Sequence, residues 1–288
     1  MTELHLRPAQ AQILKYENGR LAISAVPGSV KTFTLSLLAA QLIANGSINA
    51  DAGQQILIVT YLNASVDTFK AKIRQRLDDM DLPPVGFDVR TLHSLALEIV
   101  RLSESGLGEE NTGPVVLDDA GRDNALTTAV TLTIDDNPEQ WLQFLTDDTP
   151  QMRARWRDIT ERTARTFIRT AKNERYSPED IEQRLKNKDG VLSLSKDSRL
   201  GNEDINLESS IFDSPLLHMM TAIYARYQQI LMRQGAMDFD DLIWQAVNLL
   251  ENRPGFAADL YQRWPYVLED EAQDSVPLQE VLRTSLTG

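Results

Sequence analysis

The sequence predicts an α/β protein: a parallel sheet with helices on its faces, interrupted by a mainly helical insertion. Three observations predict it. Short apolar runs alternate with helix-period segments over the first hundred residues. A polar, glycine-containing stretch at 103–113 then gives way to segments that read as helix alone. A short apolar strand returns near residue 266 and leads straight into carboxylates. Alternating strands and helices are the pattern of parallel strands joined by helical crossovers.

The elements follow in order. Leu21 to Ala25 is a short apolar run ending in a turn, the first expected strand. Thr32 to Ala44 has helical spacing and stops at Asn45-Gly46, a helix C-terminus signal. Ile56 to Thr60 reads ILIVT, the continuous apolar run of a strand buried on both faces. Asn63 is placed to cap the next helix, whose apolar residues are Val66, Phe69, Ile73 and Leu77. After the Pro83-Pro84 break come a third strand at Phe87 to Thr91 and a helix at Ser94 to Leu102.

From Asp118 to Lys188 the reading is mostly helical. Ala154 to Asn173 is basic and amphipathic, with Ile159, Thr163, Phe167 and Ala171 expected on one face. Asn187 to Ser214 is polar and acidic, a loop or linker. Helices resume at Pro215 to Arg233 and at Asp238 to Glu251, and Tyr266 to Leu268 closes the pattern as a strand.

Composition narrows the function classes. The 288 residues are 42% hydrophobic and 25% charged, the balance of a globular chain. With no cysteine there is no disulfide and no thiolate metal site, which fits a reducing, cytoplasmic setting. His5, His93 and His218 are too scattered to form a metal cluster. The opening MTELHLRPAQ has no signal-peptide pattern, and no apolar run approaches the roughly 18 residues of a membrane span. No membrane partner is expected. The net charge of −13 argues against a uniformly basic nucleic-acid surface. A local basic or aromatic track would still serve a single strand.

Two segments carry chemistry. AISAVPGSVKT runs from a strand through a Pro/Gly turn to Lys31-Thr32 opening a helix. This is the context of a phosphate-binding loop. Backbone N–H groups at a helix N-terminus cradle phosphates, Lys31 reaches the β/γ-phosphates, and the Thr32 hydroxyl ligates Mg²⁺. Against the general GxxxxGK[ST] pattern, Ala25 replaces the first glycine and Val30 the second. A β-branched residue forced to positive φ costs on the order of 1–3 kcal/mol, so Val30 is expected to weaken ATP binding or hydrolysis. The second segment is YVLEDEAQD, Tyr266 to Asp274. Its short strand delivers Asp270 and Glu271 side by side, one suited to hold the nucleotide's Mg²⁺ and the other to orient the attacking water.

DEAQD after an apolar strand resembles motif II of the UvrD/Rep/PcrA superfamily 1 DNA helicases, and other segments match that family in order. LRPAQ resembles the Q motif, which implies Gln10 on the adenine edge. AVPGSVKT resembles motif I, commonly AGAGSGKT, in which alanine already takes the place of Ala25. The resemblance implies a nucleotide cradle of Ala25, Val26, Pro27, Gly28, Ser29, Val30, Lys31 and Thr32, with Gln273 beside it. Phe33 stands where the family often has arginine. VTYLN resembles motif Ia, implying that Tyr61 stacks on a single-stranded base beside Asn63. TLHS resembles motif Ib, implying DNA contacts from Thr91 and His93. MDFDDLI resembles the segment ahead of motif II, and FIRTAKNERYSPEDI the helical 1B insertion, where Lys172 is expected to meet DNA.

The resemblance spans nearly the whole chain. It implies a RecA-like P-loop NTPase domain 1A at 1–103 and 234–288, split by domain 1B at 104–233. It implies ATP and Mg²⁺ as cofactors, with Lys31 and Glu271 catalytic and Thr32 and Asp270 on the metal. The implied partners are single-stranded DNA or a single-strand/duplex junction, and a 2A/2B half that would form the opposite wall of the ATP cleft. The expected activity is that of the N-terminal part of an ATP-dependent 3′–5′ DNA helicase in repair or recombination. Two other readings stay open: a binding module without turnover, favoured by Val30, and part of a RecB/AddA-type helicase–nuclease. A small P-loop kinase has no place for Tyr61, TLHS or DEAQD.

Overall fold

In the computed structural model the described residues are 7–16, 18–23, 31–104, 115–187, 214–271 and 276–286. They divide into two compact units, one within Met1–Asn111 and Gln245–Gly288, the other within Thr112–Trp244. The segment 234–244, expected with the α/β part, falls in the second unit.

The first unit is built on a parallel sheet. Strands β1 (Ile56–Thr60), β2 (Phe87–Thr91) and β5 (Tyr266–Glu269) lie in the order β2-β1-β5. All five residues of β1 are buried, as a central strand covered on both faces requires. Ile56 and Ile58 face a core shared with α2 (Lys31–Ala44) and α3 (Asn63–Asp78). Leu57 and Val59, also buried, point to the opposite face, because side chains alternate along a strand. Helix α4 (Leu92–Glu104) follows β2 and buries Leu95, Ala96 and Ile99. Helix α2 ends where the sequence signals: Gly46 takes φ 68, and the Ser47 N–H reaches back to the Leu42 carbonyl at 3.0 Å.

Two local expectations fail in this unit. Residues 21–23 form no strand, and Leu21 is 49% exposed, so that apolar run is not packed as a sheet member. Asn63 is not a cap. It is already the first residue of α3, and Leu62 holds the cap position without a side-chain bond. The predicted stripe of α3 does face the core, with Phe69, Ile73 and Leu77 at 0% exposure.

The second unit is mainly helical. It holds α5 (Asp119–Asp136), α6 (Pro138–Leu142), α7 (Pro150–Asn173), α8 (Pro178–Asn187) and α9 (Pro215–Arg233). Strands β3 (Val115–Val116) and β4 (Ala236–Met237) form a short parallel pair. Helix α10 (Phe239–Asn252) runs across the division between the units, and α11 (Pro254–Arg263) and α12 (Pro277–Ser285) belong to the first. The core gathers Leu126, Val130, Ala164, Ile168 and Tyr224 among others. The buried stripe of α7 is Thr160, Ala164, Ile168, Ala171 and Lys172. The expected stripe of Ile159, Thr163 and Phe167 therefore lies one residue off, on a half-buried flank. The helix turned by about 100° buries the smaller side chains, which allow closer packing. Among the described residues no helix is long and apolar enough to cross a membrane.

The caps can be tested. Asp118 Oδ1 accepts from the Gly121 N–H at 2.8 Å at the start of α5. Asp118→Ala should cost about 1 kcal/mol in urea unfolding, the usual loss of an N-cap. Asn63→Ala should cost well under that, and an equal loss at the two sites would contradict the assignment.

Candidate nucleotide and single-strand site

The site is set by where β5 ends. β5 pairs with β1 from Ile56↔Tyr266 to Val59↔Glu269, and the Asp270 N–H extends the ladder to the Val59 carbonyl at 3.0 Å. Asp270 and Glu271 therefore leave the sheet at its C-terminal edge, where open α/β sheets carry their ligands. Glu271 turns sharply, with φ 63, an uncommon conformation for a residue with a Cβ. The turn lets its carboxylate meet the first residue of α2.

That meeting is the chemical centre. Lys31 Nζ lies 3.0 Å from Glu271 Oε2, and the Thr32 hydroxyl donates to Asp270 Oδ2 at 3.2 Å. Asp270 is 6% exposed. Burial, and then the adjacent Glu271 charge, push its carboxyl above the ordinary aspartate range, while Thr32 and Lys31 pull partly back. Gln10, on α1 (Pro8–Ile13), accepts from the Arg7 N–H and donates to Thr34 Oγ1, each at 3.0 Å. It thus reaches the first turn of α2. Phe33 lies in the same turn beneath the Arg76 guanidinium, 5.1 Å from the ring centroid.

The predicted nucleotide residues Ala25, Val26, Pro27, Gly28, Ser29 and Val30, and Gln273, lie outside the described residues. The donor set that is described suits Mg²⁺: one hydroxyl and one carboxylate oxygen, with no thiolate or imidazole. Among the described residues no cluster of three or more His, Cys, Asp or Glu could hold a metal by itself. That is the pattern of an ion that shares its ligands with phosphates and water.

A second feature lies on the other side of β1. Asn63, Asp67 and Lys70 of α3, Asp88 and Arg90 of β2, and Ser94 of α4 line a polar cleft of about 340 Å³. This is at the small end of ligand cavities, with room for one nucleotide and not for a duplex. Asn63, Asp67 and Lys70 share a helix face through i, i+4, i+7 spacing. Of the predicted DNA contacts, Asn63 and Thr91 meet in this cleft. Thr91 is 8% exposed and its Oγ1 accepts from the Ser94 N–H at 3.2 Å, so it also starts α4. Tyr61 follows β1 directly and is half-buried, next to the 66%-exposed Leu62, and His93 lies in the first turn of α4. Sequence reasoning missed Asp67, Lys70 and Arg90. The helix-face spacing from Asn63 is the signal that would have found the first two.

Lys172 requires a correction. It was expected at DNA, but its side chain is 0% exposed inside the helical unit. Its Nζ lies 2.6 Å from Asp238 Oδ2 and 2.8 Å from Asp241 Oδ1. The Tyr227 hydroxyl also donates to Asp238, and the Gln228 amide to Asp241, each at 2.9 Å. Burial alone would raise Asp238, yet the charge and hydrogen bond of Lys172 outweigh it and hold this carboxyl below its ordinary value. The lysine is an internal counter-ion for the DFDD segment. Lys172→Met should therefore destabilise the protein by about 3–5 kcal/mol in denaturant unfolding, since it strands buried carboxylates. It should leave oligonucleotide affinity unchanged once folded protein is compared. A DNA contact would give the reverse.

Comparison with known proteins follows this geometry. The model of the UvrD/REP helicase N-terminal domain matches residues 6–288. The chain is 28% identical to the ATP-dependent DNA helicase UvrD1 of Mycobacterium leprae, over 98% of this chain and 30% of the relative. It is 27% identical to UvrD1 of Mycobacterium bovis, again over 98% and 30%. It is 23% identical to the ATP-dependent DNA helicase PcrA of Staphylococcus aureus, over 96% of this chain and 31% of the relative. The chain thus spans about 30% of the length of these curated relatives.

Proposed function

The chain belongs to the UvrD/REP helicase family, and on that premise we propose that it is an ATP–Mg²⁺ and single-stranded-DNA binding part of a DNA helicase. The observation that carries the reading is the double contact of Lys31 with Glu271 and Thr32 with Asp270. It sets a lysine, a hydroxyl and two carboxylates at the head of one helix, the groups that nucleotide hydrolysis needs.

Each side chain has a distinct task. Lys31 leaves Glu271 to meet the β/γ-phosphates. Glu271, released from that ion pair, accepts a proton from the water it orients. Thr32 and Asp270 hold the metal, which when bound neutralises phosphate charge. Gln10 faces the adenine from α1, and Phe33 flanks the same turn. Glycine and backbone amides of the 25–30 loop wrap the phosphates, with Gln273 beside them. On the neighbouring strand end Tyr61 stacks on a base, while Asn63, Thr91 and His93 contact the strand. The cleft above β2 takes one nucleotide of it. The acidic total charge is compatible with this, because a stacking platform with few cations tolerates any sequence. Unwinding with 3′–5′ polarity and a role in repair or recombination belong to the whole helicase, whose 2A/2B part would close the nucleotide cleft.

A second reading, binding without turnover, rests on Val30 in the phosphate loop. Two measurements test the pair. Lys31→Ala should weaken Mg²⁺–ATP binding at least about tenfold in calorimetry and leave oligo(dT) affinity within twofold. Equal ATP affinity in both forms would sink the nucleotide site. Val30→Gly should raise ATP affinity or DNA-stimulated hydrolysis by about tenfold, given the roughly 1–3 kcal/mol strain at such a position. No gain would remove Val30 as the reason for a binding-only protein.

A further inference from the structure

Arg283 is used by neither ligand in the reading above, yet it sits over both strand ends. It lies on α12, whose Leu278 and Leu282 are buried at 1% and 0% exposure. Tyr261 donates to the Ser285 carbonyl at 2.6 Å and holds the helix's last turn. From this fixed base, Arg283 Nη1 donates to Glu269 Oε2 at 2.8 Å and Nη2 to Glu280 Oε1 at 3.2 Å. Glu269 has only 11% of its side chain exposed. It is the last residue of β5, paired with Val59, and the next residue is Asp270. Two positions beyond Val59, Tyr61 leaves β1, and its phenol lies within electrostatic reach of the guanidinium. One cation thus touches the residue that seats the nucleotide carboxylates and acts on the aromatic ring beside the DNA cleft.

We infer that Arg283 is a positioning residue that couples the two sites: it ties the seat of Asp270–Glu271 to the placement of Tyr61. The inference rests on the nucleotide and single-strand reading above. When Glu271 exchanges Lys31 for a bound nucleotide, the end of β5 changes its load. Arg283 passes that change to Tyr61 through a hydrogen bond and a charge, with no contact to either ligand. Coupling of this kind is reciprocal. Nucleotide changes DNA affinity by the same factor as DNA changes nucleotide affinity, typically about 5-fold or more. A purely structural ion pair would shift stability and leave that factor alone.

The test measures oligo(dT) affinity by fluorescence anisotropy, with and without a saturating non-hydrolysable ATP analogue and Mg²⁺. It uses the full 288-residue chain and, in parallel, its Val30→Gly form. The expected ratio of the two affinities is about 5-fold or more. Arg283→Gln should bring the ratio to near unity while each ligand alone still binds within about threefold of its original affinity. Arg283→Lys, which keeps the charge, should retain part of it. Should Arg283→Gln fail to fold, Glu269→Gln breaks the same link with an isosteric side chain and should give the same collapse. An unchanged ratio in the folded variants overturns the inference, as does a ratio near unity in the parent chain when both ligands bind. Failure of the parent forms to bind either ligand would instead overturn the underlying reading, and this inference with it.

Discussion

The pairing of β5 with β1 is the constraint on which the rest of the site depends. A single backbone bond, from Asp270 to Val59, fixes how far the carboxylates project beyond the sheet. A shift of one residue would exchange the two faces of β5 and send Asp270 away from Thr32. The register is held because Leu268 sits in the core beside Ile58, so slipping the strand would expose that side chain. Hydrophobic burial, which is indifferent to chemistry, thereby places the groups that perform it.

The same logic separates the two uses of charge in this chain. At the sheet edge Lys31 and Glu271 are partly exposed, with 22% and 42% of their side chains open, and can part when phosphate arrives. In the helical unit Lys172 and its aspartates are sealed from water and cannot exchange partners cheaply. One ion pair is a resting contact and the other a fastening. Chemical identity is shared, and solvent access decides the role.

Much of this was legible in the sequence, for physical reasons that differ by element. ILIVT predicts β1 to the residue, because a strand covered on both faces must be apolar throughout. Pro215–Arg233 is likewise bounded as expected, with Pro at its start. Lys31, Thr32, Asp270 and Glu271 were visible as motifs, and the structure brings them together although they lie at opposite ends of the chain. Lys172 was not legible. A basic amphipathic helix reads as a surface, and the two carboxylates that bury this lysine lie on a distant helix. The stripe on α7 slipped by one residue because Thr, Ala and Ile recur on both neighbouring faces, leaving periodicity without a tie-breaker. Arg283 escaped because a long-range bond to a strand end leaves no local pattern at all.

The split of the α/β unit has a consequence for how the protein is made. During synthesis β1 and β2 emerge early, but the second edge of β1 stays unpaired until β5 follows the whole helical stretch. The helical unit, continuous in sequence, can close while that edge waits. Long-range strand pairing is slow and leaves edges open to association. The nucleotide carboxylates are therefore the last part of the α/β unit to be installed, so a nascent chain carries its phosphate-loop lysine well before it carries the groups that would let that lysine act.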